Sequence, residues 1–235
     1  MNKNIKILME SLFDEETDNI LSSDKDSIDT VFAEKITGIT IGKDKIEYEA
    51  VDLDLPSGNL WCDRNIGATR PTKTGGYFRR KGFTLDKISL DSAAGINWDS
   101  YVELLYSRLK NKTIKYNSVP EFILGTGWDI PSKNDIEELI NNTDVSQIRV
   151  GRNGIAFKVS SLKDPNKFII IPSTGYIKGK KVQDKTDACF WSSTEYDRYD
   201  GYDFNYGYKI LNANNVSITI YDMLSSLPIR AISRK

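Results

Sequence analysis

Residues 51–69 read Val51-Asp52-Leu53-Asp54-Leu55-Pro56-Ser57-Gly58-Asn59-Leu60-Trp61-Cys62-Asp63-Arg64-Asn65-Ile66-Gly67-Ala68-Thr69. Val51 to Leu55 alternates apolar and polar, the period of a half-buried strand. Pro56-Ser57-Gly58 is turn chemistry, because Pro fixes φ and Gly accepts a positive φ. Leu60-Trp61 resumes the apolar pattern, and Asn65-Ile66-Gly67-Ala68 closes the unit. As residues alone, the stretch is an edge hairpin that opens a β-containing domain.

Downstream, Gly127-Trp128-Asp129-Ile130-Pro131 leads into a helix. Ser132 is its N-cap, and Asp135 three residues on completes a capping-box pattern. Ile136, Leu139 and Ile140 form the buried stripe, and Asn141-Asn142 ends it. Ser100 to Leu109 reads as another helix, followed by an insertion over 110–126. From residue 147 the chain is β. Ile148-Arg149-Val150 and Ile155-Ala156-Phe157-Lys158-Val159 flank a Gly-Arg-Asn-Gly turn. Phe168-Ile169-Ile170-Ile171 is continuously apolar, as in a central strand. Phe190-Trp191-Ser192-Ser193 is a short core strand. Tyr202 to Tyr208 alternates, turns at Asn212-Ala213-Asn214-Asn215 and returns through Val216 to Ile220. Pro228-Ile229-Arg230-Ala231-Ile232 closes the chain.

Upstream, residues 1–21 form a helical segment, with Ile5, Leu8, Met9, Leu12 and Phe13 at helical spacing. Residues 22–47 are a polar linker, a short helix over 28–36, and a hairpin from Ile39 to Tyr48 around Gly42-Lys43-Asp44. A helix as short as the first is marginal alone in water and needs a host surface, either its own domain or another protein.

The 235 residues carry a net charge of −1. Residues 1–50 hold 12 acidic and 6 basic residues, leaving 21 acidic and 26 basic in residues 51–235. The whole has no electrostatic footprint for nucleic acid, and no apolar run reaches membrane-spanning length. With no histidine, the commonest metal ligand and general base are both missing. No Gly-rich phosphate loop is present. Cys62 and Cys189 could pair or stay as structural thiols; neither has an adjacent base to activate it. Asp164-Pro165-Asn166 reads as a hairpin turn and Asn97-Trp98-Asp99 has the wrong order for a lectin calcium strand, so no metal or other cofactor is expected. The basic cluster Arg79-Arg80-Lys81 reads as a solvated loop or as a contact point for an acidic partner. Glu195-Tyr196-Asp197-Arg198-Tyr199-Asp200-Gly201-Tyr202-Asp203 interleaves tyrosines with carboxylates, a composition suited to carbohydrate or protein recognition. Tyr196, Tyr199, Tyr202, Asp197 and Asp200 are the candidate ligand-binding residues. The same composition also suits a loop that covers the domain's own core.

Residues 51–69 resemble the opening of the FISUMP-type, or major paralogous, bacterial surface domain, usually met as VDLGLPSGTLWA…NVGA. Gly127-Trp128-Asp129-Ile130-Pro131-Ser132, Ile171-Pro172-Ser173-Thr174-Gly175-Tyr176 and Phe190-Trp191-Ser192-Ser193 match in the same order. The resemblance spans roughly residues 48–235. It implies an α+β, C-type-lectin-like fold, akin to formylglycine-generating sulfatase-modifying proteins, with an N-terminal helical extension. In that fold the terminal strands pair, which would set Val51–Leu55 beside Ile229–Ile232. It also implies that Trp61, Trp128 and Trp191 belong to the core. Members of that family are usually exported, whereas Met1-Asn2-Lys3-Asn4-Ile5-Lys6-Ile7-Leu8-Met9 lacks the apolar core and cleavage site of a signal peptide.

Asn4-Ile5-Lys6-Ile7-Leu8-Met9-Glu10-Ser11-Leu12-Phe13-Asp14 resembles N-terminal segments of structural proteins of crAss-like bacteriophages. The combined expectation is a non-enzymatic virion protein made in the host cytoplasm, on head or tail. Residues 1–21 would dock into capsid or tail through Ile5, Leu8, Met9, Leu12 and Phe13. Residues 48–235 would face a host-surface glycan or protein, in a homo-oligomer, trimer or dimer. A bacterial surface adhesin and a formylglycine-type enzyme working through Cys189 are the alternatives.

Overall fold

The structure, a computed structural model, describes residues 38–41, 46–79, 119–152, 154–179, 181–196, 204–222 and 224–234. They are mostly β-sheet, with two short helices, α1 (Val119–Leu124) and α2 (Lys133–Asn142). One sheet runs β1 (Gly38–Ile41), β2 (Glu47–Asp52), β3 (Leu60–Asn65), β15 (Arg230–Ser233), β5 (Trp128–Asp129). A second runs β6 (Thr143–Val150), β7 (Gly154–Ser161), β8 (Phe168–Pro172). A third runs β11 (Ala188–Tyr196), β12 (Phe204–Asn212), β13 (Asn215–Asp222). The last runs β10 (Lys181–Gln183), β9 (Tyr176–Lys178), β14 (Ser225–Leu227), β4 (Phe78–Arg79). The expected helices at 1–21, 28–36 and 100–109 lie outside the described residues, as do Asn97-Trp98-Asp99, Arg80 and Lys81.

The opening stretch folds as two strands about a turn. Gly58 N–H donates to Leu55 O at 2.9 Å, with Gly58 at φ 70°. It is not an edge hairpin: β2 lies between β1 and β3, and β3 between β2 and β15. The closing strand also lies one position from where the resemblance put it. Ile232 pairs with Trp61, and Val51 pairs with Trp61 from the other side. Successive side chains of these strands enter different cores, so the sheet is covered on both faces. Ala50, Cys62 and Ala231 join one apolar cluster; Val51, Trp61 and Ile232 join the other. β11 alternates likewise, Phe190 into the second cluster and Trp191 into the first. Trp61, Trp128 and Trp191 are all buried.

The helix expected after Pro131 forms with its full capping box. Ser132 Oγ accepts the Asp135 N–H at 3.2 Å, and Asp135 Oδ2 accepts the Ser132 N–H at 2.7 Å. Ile136 and Leu139 are buried and Ile140 partly so. β structure starts at Thr143, four residues before the expected boundary, and α1 falls within the expected insertion. Phe168–Pro172 is buried at every position, as its composition requires, but β8 pairs only with β7 among the described strands. It is an edge in hydrogen bonding rather than a central strand.

Arg230 caps one carbonyl of that edge. Its side chain is completely buried. Nε donates to Asn65 Oδ1 at 3.0 Å, one terminal nitrogen to Cys62 O at 3.0 Å, and the other to Ile170 O at 2.8 Å. One guanidinium thus ties β15, β3 and β8, and supplies the donor that a neighbouring strand would otherwise offer Ile170. Arg230→Ala strands three buried acceptors, so we expect a loss of about 3–5 kcal/mol, read as the shift in urea midpoint. Arg230→Lys, which cannot reach three acceptors in a fixed fork, should recover only part of it.

Candidate binding surface

The motifs that mark the sequence meet around α2. Ser57 donates to Glu138 from its backbone N–H and its hydroxyl, both at 2.7 Å. Asn59 Nδ2 donates to Asp135 Oδ1 at 3.1 Å. The Arg234 guanidinium spans both oxygens of Asp135 at 3.2 and 3.0 Å. Burial pushes the Asp135 carboxyl up, but the Ser132 and Arg234 hydrogen bonds outweigh it and hold it below the usual carboxylate range. Residues 171–176 run from the cluster that α2 covers, which Ile171 joins, to the other, against which Tyr176 packs. Thr174 and Gly175 N–H groups donate to Asp187 O, and Tyr77 OH donates to Thr174 O. Gly175 sits at φ +56°, where a Cβ would lie 2.1 Å from Gln183 O.

The surface with recognition chemistry lies where β11 leaves the core. Between Trp191 and Glu195 the pairing with β12 shifts register, a bulge that re-aims the strand end. Ser193 N–H donates to Pro131 O at 2.8 Å, and Thr194 Oγ1 accepts the Lys133 N–H at 2.9 Å. The bulge is thereby docked on the first turn of α2. Beyond it, the half-exposed Tyr196 meets Tyr206 edge to face, centroids 5.4 Å apart. Lys133 Nζ stands 5.0 Å from the Tyr206 centroid and 3.3 Å from Glu137 Oε1. Tyr196 is the one predicted site residue within the described structure. Tyr199, Tyr202, Asp197 and Asp200 lie outside it, as do Ile5, Leu8, Met9, Leu12 and Phe13. Tyr206 and Lys133 join Tyr196 without being among the residues the sequence marks. The alternation of Tyr202 to Tyr208 is the local signal for Tyr206, whereas Lys133 is placed by the docking of the helix.

Neither thiol is poised for chemistry. Both are free and buried. Burial pushes each up to about 12, with Asp63 Oδ1 3.8 Å from the Cys62 sulfur and Gly175 O accepting from Cys189 at 2.8 Å. Beside Cys62, the fully buried Asp63 accepts the Glu49 N–H at 3.0 Å and is clamped by Arg64 Nε at 2.7 Å. Desolvation, then the Asp63 charge, raises the Glu49 carboxyl from its usual 4.5 to about 7. Among the described residues no set of three or more acidic, His or Cys side chains is placed to hold a metal ion.

Glu49 gives a pH signature. Its folded value lies above its unfolded value, so its contribution is full below pH 4.5 and is lost as the pH rises to about 7. With partial exposure discounted, the loss is on the order of 1–2 kcal/mol. Urea midpoints from pH 4.5 to 8 should fall more for the wild type than for Glu49→Gln; parallel curves would contradict the assignment. No family model, curated protein or solved structure matches the chain.

Proposed function

We propose that this chain is a non-enzymatic structural protein of a bacteriophage particle. It displays a C-type-lectin-like domain to a host-surface glycan or protein, and residues 1–21 anchor it to capsid or tail. The observation that carries the display reading is the division of labour in the fold. The four motif stretches are spent on mutual packing, while the bulged end of β11, the start of β12 and the first turn of α2 bring Tyr196, Tyr206 and Lys133 together. Aromatic faces beside a cation are suited to sugar or protein contact. The lectin-like reading gains support from Asp54. It holds φ 55°, in the left-handed region, at the position where the resembled segment has Gly. The formylglycine-type alternative loses support from thiols held protonated far above neutral pH, since the thiolate is the nucleophile.

Deleting residues 1–21 tests the anchor. The truncated chain should fold and fail to copurify with particles; unchanged association would sink the docking role. Tyr206→Ala tests the display face. We expect binding to host cells to weaken about tenfold, near 1.4 kcal/mol, with the melting temperature little changed. Full binding by the double variant Tyr196→Ala/Tyr206→Ala would move the ligand surface elsewhere.

A further inference from the structure

Edge strands invite pairing with other chains, and proteins blunt them with charge, proline, shortness or a cover. Most edges here are blunted. On the outer side of β11, Trp191 and Ser193 donate to Pro228 O and Pro131 O. β8 is buried and capped by Arg230. β6 carries Asp144 and Arg149, and β1, β4, β5 and β10 are four residues or fewer. β13 is different. It is eight residues long and pairs with β12 alone among the described strands. Val216-Ser217-Ile218-Thr219-Ile220-Tyr221 contains no charge and no proline. Its register with β12 is unbroken from Val216 to Asp222. Ile220 is 42% exposed.

We propose that β13 pairs antiparallel with the β13 of a second copy of this chain, about a twofold axis at Ile218. In this register Ile218 faces itself, Val216 faces the partner's Ile220, and Ser217 faces the partner's Thr219. The apolar row Val216, Ile218, Ile220 is thus self-complementary, as an isologous contact requires. Asp222 falls opposite Asn214 of the partner subunit, so no like charges oppose each other. With a net charge of −1, two copies repel little at long range. An eight-residue edge offers about 26 Å of ladder. The inference goes beyond the proposed function, sharpens the expected homo-oligomer to a dimer, and does not rest on the particle. A monomer that still labels particles would sink the pairing alone.

Sedimentation of the full chain across micromolar concentrations should show a dimer. Ile220→Lys, at an exposed position, should weaken it at least tenfold while leaving the melting temperature unchanged. Leu162→Lys, at a site 61% exposed after β7, should leave the dimer intact. Ile218→Cys should cross-link to a covalent dimer under mild oxidant, since both native thiols are buried. A wild-type monomer throughout overturns the proposal, including one whose edge is covered by its own residues before 38. So does a dimer that survives Ile220→Lys. If Ile220→Lys fails to fold, the Ile218→Cys result decides, and absence of the cross-link overturns the pairing.

Discussion

A buried guanidinium holds the sheets of this protein in register. Arg230 has no carboxylate among its hydrogen-bond acceptors; it is surrounded by Cys62 O, Ile170 O and Asn65 Oδ1. Desolvation lowers it to about 10, still charged at neutral pH. Such a group is costly to bury and is tolerated only where its donors are met. The arrangement that meets them sets β15 against β3 and brings β8 within reach of both. A one-residue slip of β15 would turn Arg230 to the opposite face and leave Ile170 O without a donor, so one side chain selects one register.

The two cores follow from that register. The strands β2, β3 and β15 are covered on both sides, and alternate residues feed separate apolar clusters. The Trp191 indole crosses the layers to donate to Phe78 O at 2.6 Å. The Ser57–Glu138 and Asn59–Asp135 bonds lock the first turn to α2. The Leu-Pro-Ser-Gly and Trp-Asp-Ile-Pro-Ser stretches are therefore scaffold. The outward chemistry among the described residues lies at the bulged end of β11, where Tyr196 meets Tyr206.

Much of this was legible in local sequence. The Ser132–Asp135 cap, the Asn212–Asn215 turn and the turn after Val150 each depend on residues near in sequence, while the burial of three tryptophans came from the family resemblance. Pairing was not. Val51 and Ile232 both touch Trp61, and no local signal says which strand lies between which. Phe168–Ile171 was read as central because it is apolar throughout. The arginine that caps Ile170 O, some sixty residues away, leaves no mark in that run. The Lys133–Tyr206 contact was hidden for the same reason, since it depends on where the bulge meets the helix. Glu49 is unusual first through its burial and then through the Asp63 carboxylate, fourteen residues on and across a strand pair.

The central functional claim is that this fold is carried on a particle. Immunogold electron microscopy with an antibody against residues 51–235, on phage particles from the source culture, tests it most directly. The account predicts label on particles, at the head for a fibre or decoration protein and at the tail for host attachment. Label on cells and on no particle would contradict it, and would promote the bacterial surface adhesin in its place.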